Sequence, residues 1–354
     1  MNKQLIMSIS CVIAAIFTTS SQAIEIGRPI TTSVVITKLN NQADMPVPLQ
    51  KQVTLMNIIL PPQAQQGLFA PKIQKSLTTT KESDTLPSFV NLGMNHVPVL
   101  DQGQHGTCVT FAITAAIDAL LGKGDYLSQL CNLELGNYLE KKGYAPSGWN
   151  GSFGPWVIDQ IRRFGIINKN NQRTQSCAGI KEYPTNDGND PKVSMTLNAF
   201  KQMSENVRHK FYSVYVMNIS QRVSTNFSDI EQAEKALQYV KQSLARGNRL
   251  TFGVILVLIP HCSAGACATY QAKYDTWALT TEANEPNHPI GGHEMVIIGY
   301  DDQAIAIDKE GKSHQGLLFL RNSWGDDVGD YGNYYMTYDY FKKFVAEIQE
   351  MVKK

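Results

Sequence analysis

The alternation of apolar and polar positions divides the chain into an N-terminal stretch and a larger, denser remainder. After an apolar run from Leu5 to Phe17, Thr32 to Lys38 and Gln52 to Leu60 are β-branched and apolar, as strands are. Pro61-Pro62 opens a short, partly helical stretch from Gln63 to Leu77, interrupted by Gly67 and Pro71. Thr78 to Asp84 is polar, lacks aromatic residues and reads as an exposed linker. From Leu86 the pattern is that of one compact unit with two halves. Val109, Phe111, Ala112, Ile113, Ala116, Ile117, Leu120 and Leu121 recur at helical spacing over Thr107 to Leu121, and Gly122 is the stop. Further helices are expected from about Asn132 to Lys141 and from Pro155 to Phe164, and another to Arg246 opened by a capping box, Ser228 with Glu231. Strands then dominate: Leu250 to Leu258, Glu294 to Tyr300, Gly316 to Arg321 and Asn333 to Tyr338. Helices followed by strands predict an α+β protein whose site lies where the halves meet.

Composition narrows the class. With 354 residues, 43% of them hydrophobic, the chain can bury one large core or two smaller ones. A formal net charge of +1 leaves no footprint for nucleic acid or an anionic membrane. Lys3, the apolar run and Ser21-Gln22-Ala23 have the layout of a secretory signal cleaved after Ala23. The run falls short of the roughly 20 apolar residues needed to span a bilayer, so an exported protein in a periplasm or outside the cell is expected. Removing residues 1–23 also removes Cys11 and leaves five cysteines: Cys108, Cys131, Cys177, Cys262 and Cys267. Two bridges would leave one thiol over, either an intermolecular link or a reactive group.

Cys108 begins the strongest helix, where the positive end of the helix dipole and unpaired amides favour thiolate. A thiolate that attacks a carbonyl needs a base, an orienting group for that base and donors for the developing oxyanion. Gln102 stands six residues earlier, close enough to join the Cys108 backbone N–H as such a donor. His293 lies at the mouth of a strand behind Gly291 and Gly292, which let another group pack beside the imidazole. Asn322 follows a strand and can accept from the His293 ring N–H, fixing its tautomer, with Trp324 covering that bond from water. A zinc site built from His105, Cys108, His261, Cys262 and Cys267 is the rival use of these residues. Its spacing fits no common pattern, and a metal would quench the nucleophile, so no metal and no cofactor are expected.

Gln102-Gly103-Gln104-His105-Gly106-Thr107-Cys108, Gly292-His293 and Asn322-Ser323-Trp324-Gly325 resemble the motifs of the papain-like cysteine proteases, with the look of a bacterial-type member. Leu86-Pro87-Ser88-Phe89-Val90 resembles a mature N-terminus of that family, and Gly148 to Ser152 its glycine-bearing substrate wall. Gly325, Gly329 and Gly332 follow the tryptophan as family glycines do, so the likeness covers about residues 86 to 340. It implies a helical left half and a β-barrel-like right half meeting at an interdomain cleft. By resemblance Cys108 is the nucleophile, His293 the base in a thiolate–imidazolium pair, Asn322 its orienting group and Gln102 the oxyanion donor. Gly151 would present backbone to an extended peptide, and Trp324 also borders the substrate. The reaction implied is peptide hydrolysis through an acyl-enzyme.

The departures carry information. Family members read Cys-Gly-(Ser/Ala)-Cys-(Trp/Tyr), against His105-Gly106-Thr107-Cys108-Val109 here. The first family cysteine usually bridges to one beside the glycine wall; this chain holds His105 and Trp149 at the two places, as a lost disulfide would leave them. Val109 replaces an aromatic residue, and Glu294 stands where a small residue is usual, expected to point away from His293's face. The 185 residues from Cys108 to His293 exceed the usual roughly 130–150, placing extra loops near 201–230 and 259–290. Cys262 with Cys267 and Cys131 with Cys177 are the expected pairs, one of three connectivities open to four cysteines.

The domain reading is a signal peptide over 1–23, an N-terminal segment over 24–85 and a catalytic domain over 86–354. The middle segment is either an extension or a propeptide; the resemblance favours a propeptide, though without the family's long charged helix. Expected partners are a peptide or protein substrate and the chain's own prosegment as inhibitor, with no nucleic acid, no membrane and a monomeric state. A Cys-His-Asn acyltransferase or amidase is the alternative, and a non-catalytic binding protein on this scaffold the third reading.

Overall fold

A computed structural model describes residues 24–38, 49–70 and 86–354. The expected signal segment 1–23 and the expected linker 78–84 lie outside the described residues. The N-terminal segment supplies β1 (Glu25–Val35), β2 (Gln50–Ile59) and α1 (Pro62–Phe69), and β3 (Phe89–Asn91) follows. The helical half holds α2 (Cys108–Leu121), α3 (Gln129–Glu140), α4 (Gly154–Phe164), α5 (Lys169–Gln175) and α6 (Leu197–Met203). After it come β4 (Phe211–Met217), α7 (Ile219–Ser224), α8 (Ile230–Ala245), β5 (Leu250–Val257), β6 (Ala268–Thr269) and β7 (Thr276–Trp277). β8 (Ile290–Asp308), β9 (Ser313–Arg321), β10 (Asn333–Thr337), α9 (Tyr338–Phe344) and β11 (Val345–Lys353) complete the chain.

One sheet organises the second half, in the order β4-β11-β5-β8-β6-β7-β10-β9, with β9 also pairing β8. The pairings from β8 through β6, β7, β10 and β9 back to β8 therefore close a ring. Because β6 and β7 are two residues long, the ring is barrel-like and falls short of a complete barrel. The α+β architecture expected from the sequence is the one observed.

The central helix α2 packs against α3 and α4 on one side and against β5, β8 and β11 on the other. Its residues Cys108 to Ala119 are all buried, which explains why the apolar positions run nearly all round it. A smaller cluster of Leu130, Leu133, Trp149, Ile167 and Phe200 surrounds the Cys131–Cys177 bridge in the helical half. Burial of whole faces, with Gly122 in left-handed conformation as the stop of α2, makes the site's scaffold rigid where the halves meet.

Several sequence expectations shift. β1 starts at Glu25, and β8 extends far beyond Tyr300, because its outer part pairs with β9 and β6 rather than with the core strands. The helix after Ser228 is capped by Asp229, whose carboxylate accepts from the Gln232 N–H, while Ser228 turns back to the Thr225 carbonyl. A carboxylate at the positive helix end is the better cap, so the capping box yields to its neighbour. α1 runs through Gly67 without a break; a Cβ there would lie 2.1 Å from the Asn226 carbonyl oxygen, so this glycine serves close packing. β4 and α7 occupy the span expected to be loop near 201–230, and α9 and β11 were not anticipated.

Candidate active site

Gln102 sets the entrance to α2. Its side-chain Oε1 accepts from the Ser323 hydroxyl at 2.7 Å, and its Nε2 donates to the His105 carbonyl at 2.9 Å. These bonds assign the amide's orientation and aim the second Nε2 hydrogen outward. Cys108 follows as the first residue of α2, buried, and is the free cysteine among the described residues. The other four pair as Cys131–Cys177 and Cys262–Cys267. α2 packs on β8, and backbone N–H groups of Glu294, Val109 and Cys108 itself face the thiol.

His293 sits on β8, opposite Val254 of β5, and its Nε2 lies 2.8 Å from Asn322 Oδ1. The Ser323 backbone N–H donates to that same Oδ1 at 2.8 Å, which identifies the atom as an acceptor. Nε2 must therefore carry the proton, and in the neutral ring Nδ1 keeps its lone pair. That Nδ1 is buried and has no hydrogen-bond partner among the described residues, so it is available to take a proton. Trp324 stacks on the imidazole with centroids 4.5 Å apart and is itself wedged between Trp277 and Tyr334. The indole thus lies over the imidazole, and both rings are buried.

The thiol side of the site carries a segment of the same chain. β2 crosses it, with Met56 opposite Gly292 of β8. The Thr54 carbonyl oxygen accepts from Gln102 Nε2 at 3.1 Å, where an oxyanion donor would meet its substrate. At the glycine wall, a Cβ on Gly151 would lie 2.8 Å from Met56 Cγ, and its φ of +133° is itself a glycine conformation. Ser152 N–H points at Met56 Sδ, 3.3 Å away. At the other end, Lys51 Nζ donates to Asp101 at 2.7 Å, the Trp324 carbonyl at 2.8 Å and Asp327 at 3.0 Å. Val53, Leu55, Met56 and Ile58 all join the main core, so β2 is packed in along its length. The interdomain cleft expected from the sequence is a filled one.

Enclosure decides the charge state. Burial pushes the Cys108 thiol up to about 12, with the facing backbone amides acting weakly the other way. Burial likewise lowers His293 to about 4 despite the Asn322 hydrogen bond. The helix start was expected to favour thiolate and a thiolate–imidazolium pair; in this covered state desolvation outweighs the dipole and both groups are neutral.

His105 and Trp149, at the places of a lost bridge, are in contact, with ring centroids 5.1 Å apart. His105 Nδ1 lies 2.7 Å from Asp190 Oδ1 and its Nε2 3.0 Å from the Pro184 carbonyl. Both partners are acceptors, so the buried ring is an imidazolium with two donors. Burial alone would lower its pKa, but Asp190 and the Pro184 carbonyl raise it above the ordinary value. Tyr183 extends this pin: its hydroxyl donates to the Gln102 carbonyl at 2.9 Å and lies 2.9 Å from the Thr107 hydroxyl. Sequence reading missed Lys51, Thr54, Met56, Tyr183 and Asp190, which reach the site only through long-range contacts. Ser323 had a signal, standing inside the Asn-Ser-Trp-Gly block. The zinc alternative finds its groups otherwise engaged, with His105 held by Asp190 and Pro184 and Cys262 bridged to Cys267.

Residues 198–354, which include His293, Asn322 and Trp324, match the profile of the Peptidase C1-like family. No curated protein matches the chain. Among solved structures, xylellain, a cysteine protease from Xylella fastidiosa, is similar at 20% identity and a TM-score of 0.48, over 76% of this chain and 87% of that one. Digestive procathepsin L 3 of Tenebrio molitor larval midgut aligns at 15% identity and a TM-score of 0.43, over 81% and 74% of the two chains. The ragweed pollen cysteine protease Amb a 11 in its proform aligns at 14% identity and a TM-score of 0.42, over 77% and 69%. The part of the chain that carries His293, Asn322 and Trp324 is thus similar to the Peptidase C1-like family, and Cys108 and Gln102 join those residues where the halves meet.

Proposed function

We propose that this chain is an exported cysteine peptidase made as a zymogen, with the segment 24–85 as its inhibitor. One observation carries the reading: an extended strand of peptide already lies across the site, its Thr54 carbonyl on Gln102 Nε2 and its neighbouring residues against the glycine wall and Trp324. A cleft that accepts extended backbone and presents a donor to its carbonyl suits a peptide bond, which favours hydrolysis over transfer to a small acyl acceptor.

In the proposed reaction β2 leaves and a substrate strand takes its place. Cys108 Sγ attacks the scissile carbonyl carbon while its proton passes to His293 Nδ1. Gln102 Nε2 and the Cys108 backbone N–H hold the oxyanion. The C–N bond breaks as His293 returns the proton to the leaving amine, leaving a thioester on Cys108. Water, deprotonated by His293, attacks that thioester and frees the acid and the thiol. Asn322 keeps the imidazole in the tautomer this sequence needs. Opening the site to water also removes the desolvation that holds Cys108 and His293 neutral, so inhibition has a steric and an electrostatic part.

Export is supported by the layout of residues 1–23 and by two disulfides in the described residues, which suit an oxidising compartment such as a periplasm or the extracellular space. The test is cleavage of an unfolded protein by the full chain, folded with an inserted cut site between residues 70 and 86 and then cut, beside its Cys108→Ala counterpart. Cleavage lost in the variant is expected. Cys108-dependent acyl transfer without cleavage makes the chain a transferase, and no reaction in either protein contradicts the proposal.

A further inference from the structure

Beside the candidate nucleophile and base lies a pair of acids that the proposed reaction does not use. Glu294 on β8 and Glu347 on β11 both stand opposite Gly253 of the intervening strand β5. A Cβ on Gly253 would lie 2.9 Å from Glu294 Oε2 and 2.8 Å from Glu347 Cγ, so the missing side chain is what lets the two carboxyl groups meet. Both residues are buried. Glu347 Oε1 accepts from the Gly154 backbone N–H at 2.7 Å, whereas among the described residues no backbone N–H serves Glu294, whose carboxyl is left to Thr251 and to Glu347 itself. Among the described residues, no lysine or arginine forms an ion pair with either acid. Two buried acids that lean on each other with no cation beside them are costly, and structures normally avoid the arrangement.

The methionine of β2 lies on the same side of β8 as Glu294. Gly292 precedes Glu294 by two residues on a strand, so both face the same side. A Cβ on Gly292 would lie 3.1 Å from Met56 Cε and 2.3 Å from Ile58 Cδ1, which places these two side chains on the Glu294 side of β8. Met56 Sδ also meets the N–H of Ser152, two residues before the Gly154 that holds Glu347. Met56 is thus enclosed by Gly151, Ser152 and Gly292, on the side of β8 that Glu294 faces. Its thioether is a poor partner for a carboxyl group and brings Glu294 no donor. In the covered state, burial first and then Glu347 push Glu294 well above the ordinary carboxyl range, so it stays protonated.

Resting on the peptidase reading, we infer that the space vacated by Met56 is a specificity pocket for a lysine or arginine side chain of the substrate, bound by Glu294 and Glu347. A long cationic side chain entering beside Gly151 and Gly292 would reach the acids with its charged end and line the pocket walls with its methylenes. Both acids ionise once water and the cation enter, and Glu294 gains the charged donor that the covered site lacks. An apolar side chain in the same place repeats the Met56 arrangement and gains nothing from them.

The test uses the full chain cut between residues 70 and 86 after folding, and four coumarin-amide peptides whose two acyl-side residues are Leu-Leu, Arg-Leu, Leu-Arg and Arg-Arg. At neutral pH, arginine at one of the two positions is expected to raise kcat/KM by roughly tenfold or more over leucine. In Glu294→Gln, and separately in Glu347→Gln, that ratio is expected to fall towards one. Equal or higher kcat/KM for Leu-Leu in the unsubstituted enzyme overturns the inference and leaves the peptidase reading standing. A preference for arginine that survives both substitutions also overturns it. Cleavage of none of the four, with an unfolded protein also left intact, overturns the peptidase reading and the pocket together.

Discussion

The two sides of the candidate site are in different states. On the imidazole side everything is finished: His293 bonds to Asn322, Ser323 fixes that amide, and Trp324 closes over the ring. On the thiol side the Gln102 donor is aimed just as firmly, but at the Thr54 carbonyl of the chain's own β2. The difference teaches that the covering strand does not distort the site. In the proposed reading it occupies the place of a peptide and, by shutting out water, keeps thiol and imidazole neutral. Assembly and activation are separable in such an arrangement.

Substitutions on the two sides should therefore part company. Gln102→Ala removes a donor from the oxyanion and from Thr54 together. After cutting, kcat should fall about 10²–10³-fold, while in the uncut chain β2 should be held less tightly, measured as faster proteolytic nicking of residues 49–60. Asn322→Ala, by contrast, should lower activity about 10–100-fold by freeing the imidazole, with no change in nicking. Equal effects on nicking would break the comparison.

A smaller effect is expected at Lys51, whose ammonium clips the entry of β2 to Asp101, Asp327 and the Trp324 carbonyl. Since the side chain is about one-fifth exposed, solvent screens part of the gain. Lys51→Met should weaken inhibition of the cut enzyme by a synthetic 49–70 peptide by roughly tenfold, read as a shift in its inhibition constant. An unchanged constant would mean that the buried apolar residues of β2 alone hold it.

The smallest effect is expected at His105, where an ion pair stands in for a covalent bridge. Its folded pKa is raised, so the stability it contributes is fully present below the ordinary histidine value of about 6.5 and is lost as pH rises through the folded value. Thermal stability of the chain should decline by a few degrees over that window. In His105→Gln the decline should be absent. A parent whose stability is flat from pH 6 to 9 would contradict the imidazolium assignment. Because the pin holds Tyr183 against Gln102 and Thr107, activity of the cut enzyme should fall in the same window.

Much of this was legible in the sequence, and the reasons are physical. Cys108, His293 and Asn322 each sit at the start or end of a regular element with glycines or small residues nearby, so local pattern exposed them. The α+β order followed from one dense helix and a run of strands. The length of β8 was not readable, because polar alternation past Tyr300 pairs with β9 and β6 in a register that local pattern does not encode. Nor was β11, whose polar Glu347, Gln349 and Glu350 are all buried between β4 and β5. Glu294 was expected to turn from the His293 face, and it does, but its meeting with Glu347 needed Gly253 on a third strand. The occupant of the cleft was likewise invisible, since Thr54 and Met56 lie about fifty residues before Cys108 with nothing local to tie them to it.

The most direct test of the central claim is the rate at which iodoacetamide alkylates Cys108 between pH 5 and 9, before and after the chain is cut between residues 70 and 86. A covered, neutral thiol should be nearly inert throughout that range in the uncut chain, given a pKa near 12. After cutting and removal of residues 24–70, alkylation should become fast at neutral pH and depend on His293, slowing in His293→Ala. Equal rates in the uncut and cut chains would contradict the account, showing that β2 neither covers nor silences the nucleophile.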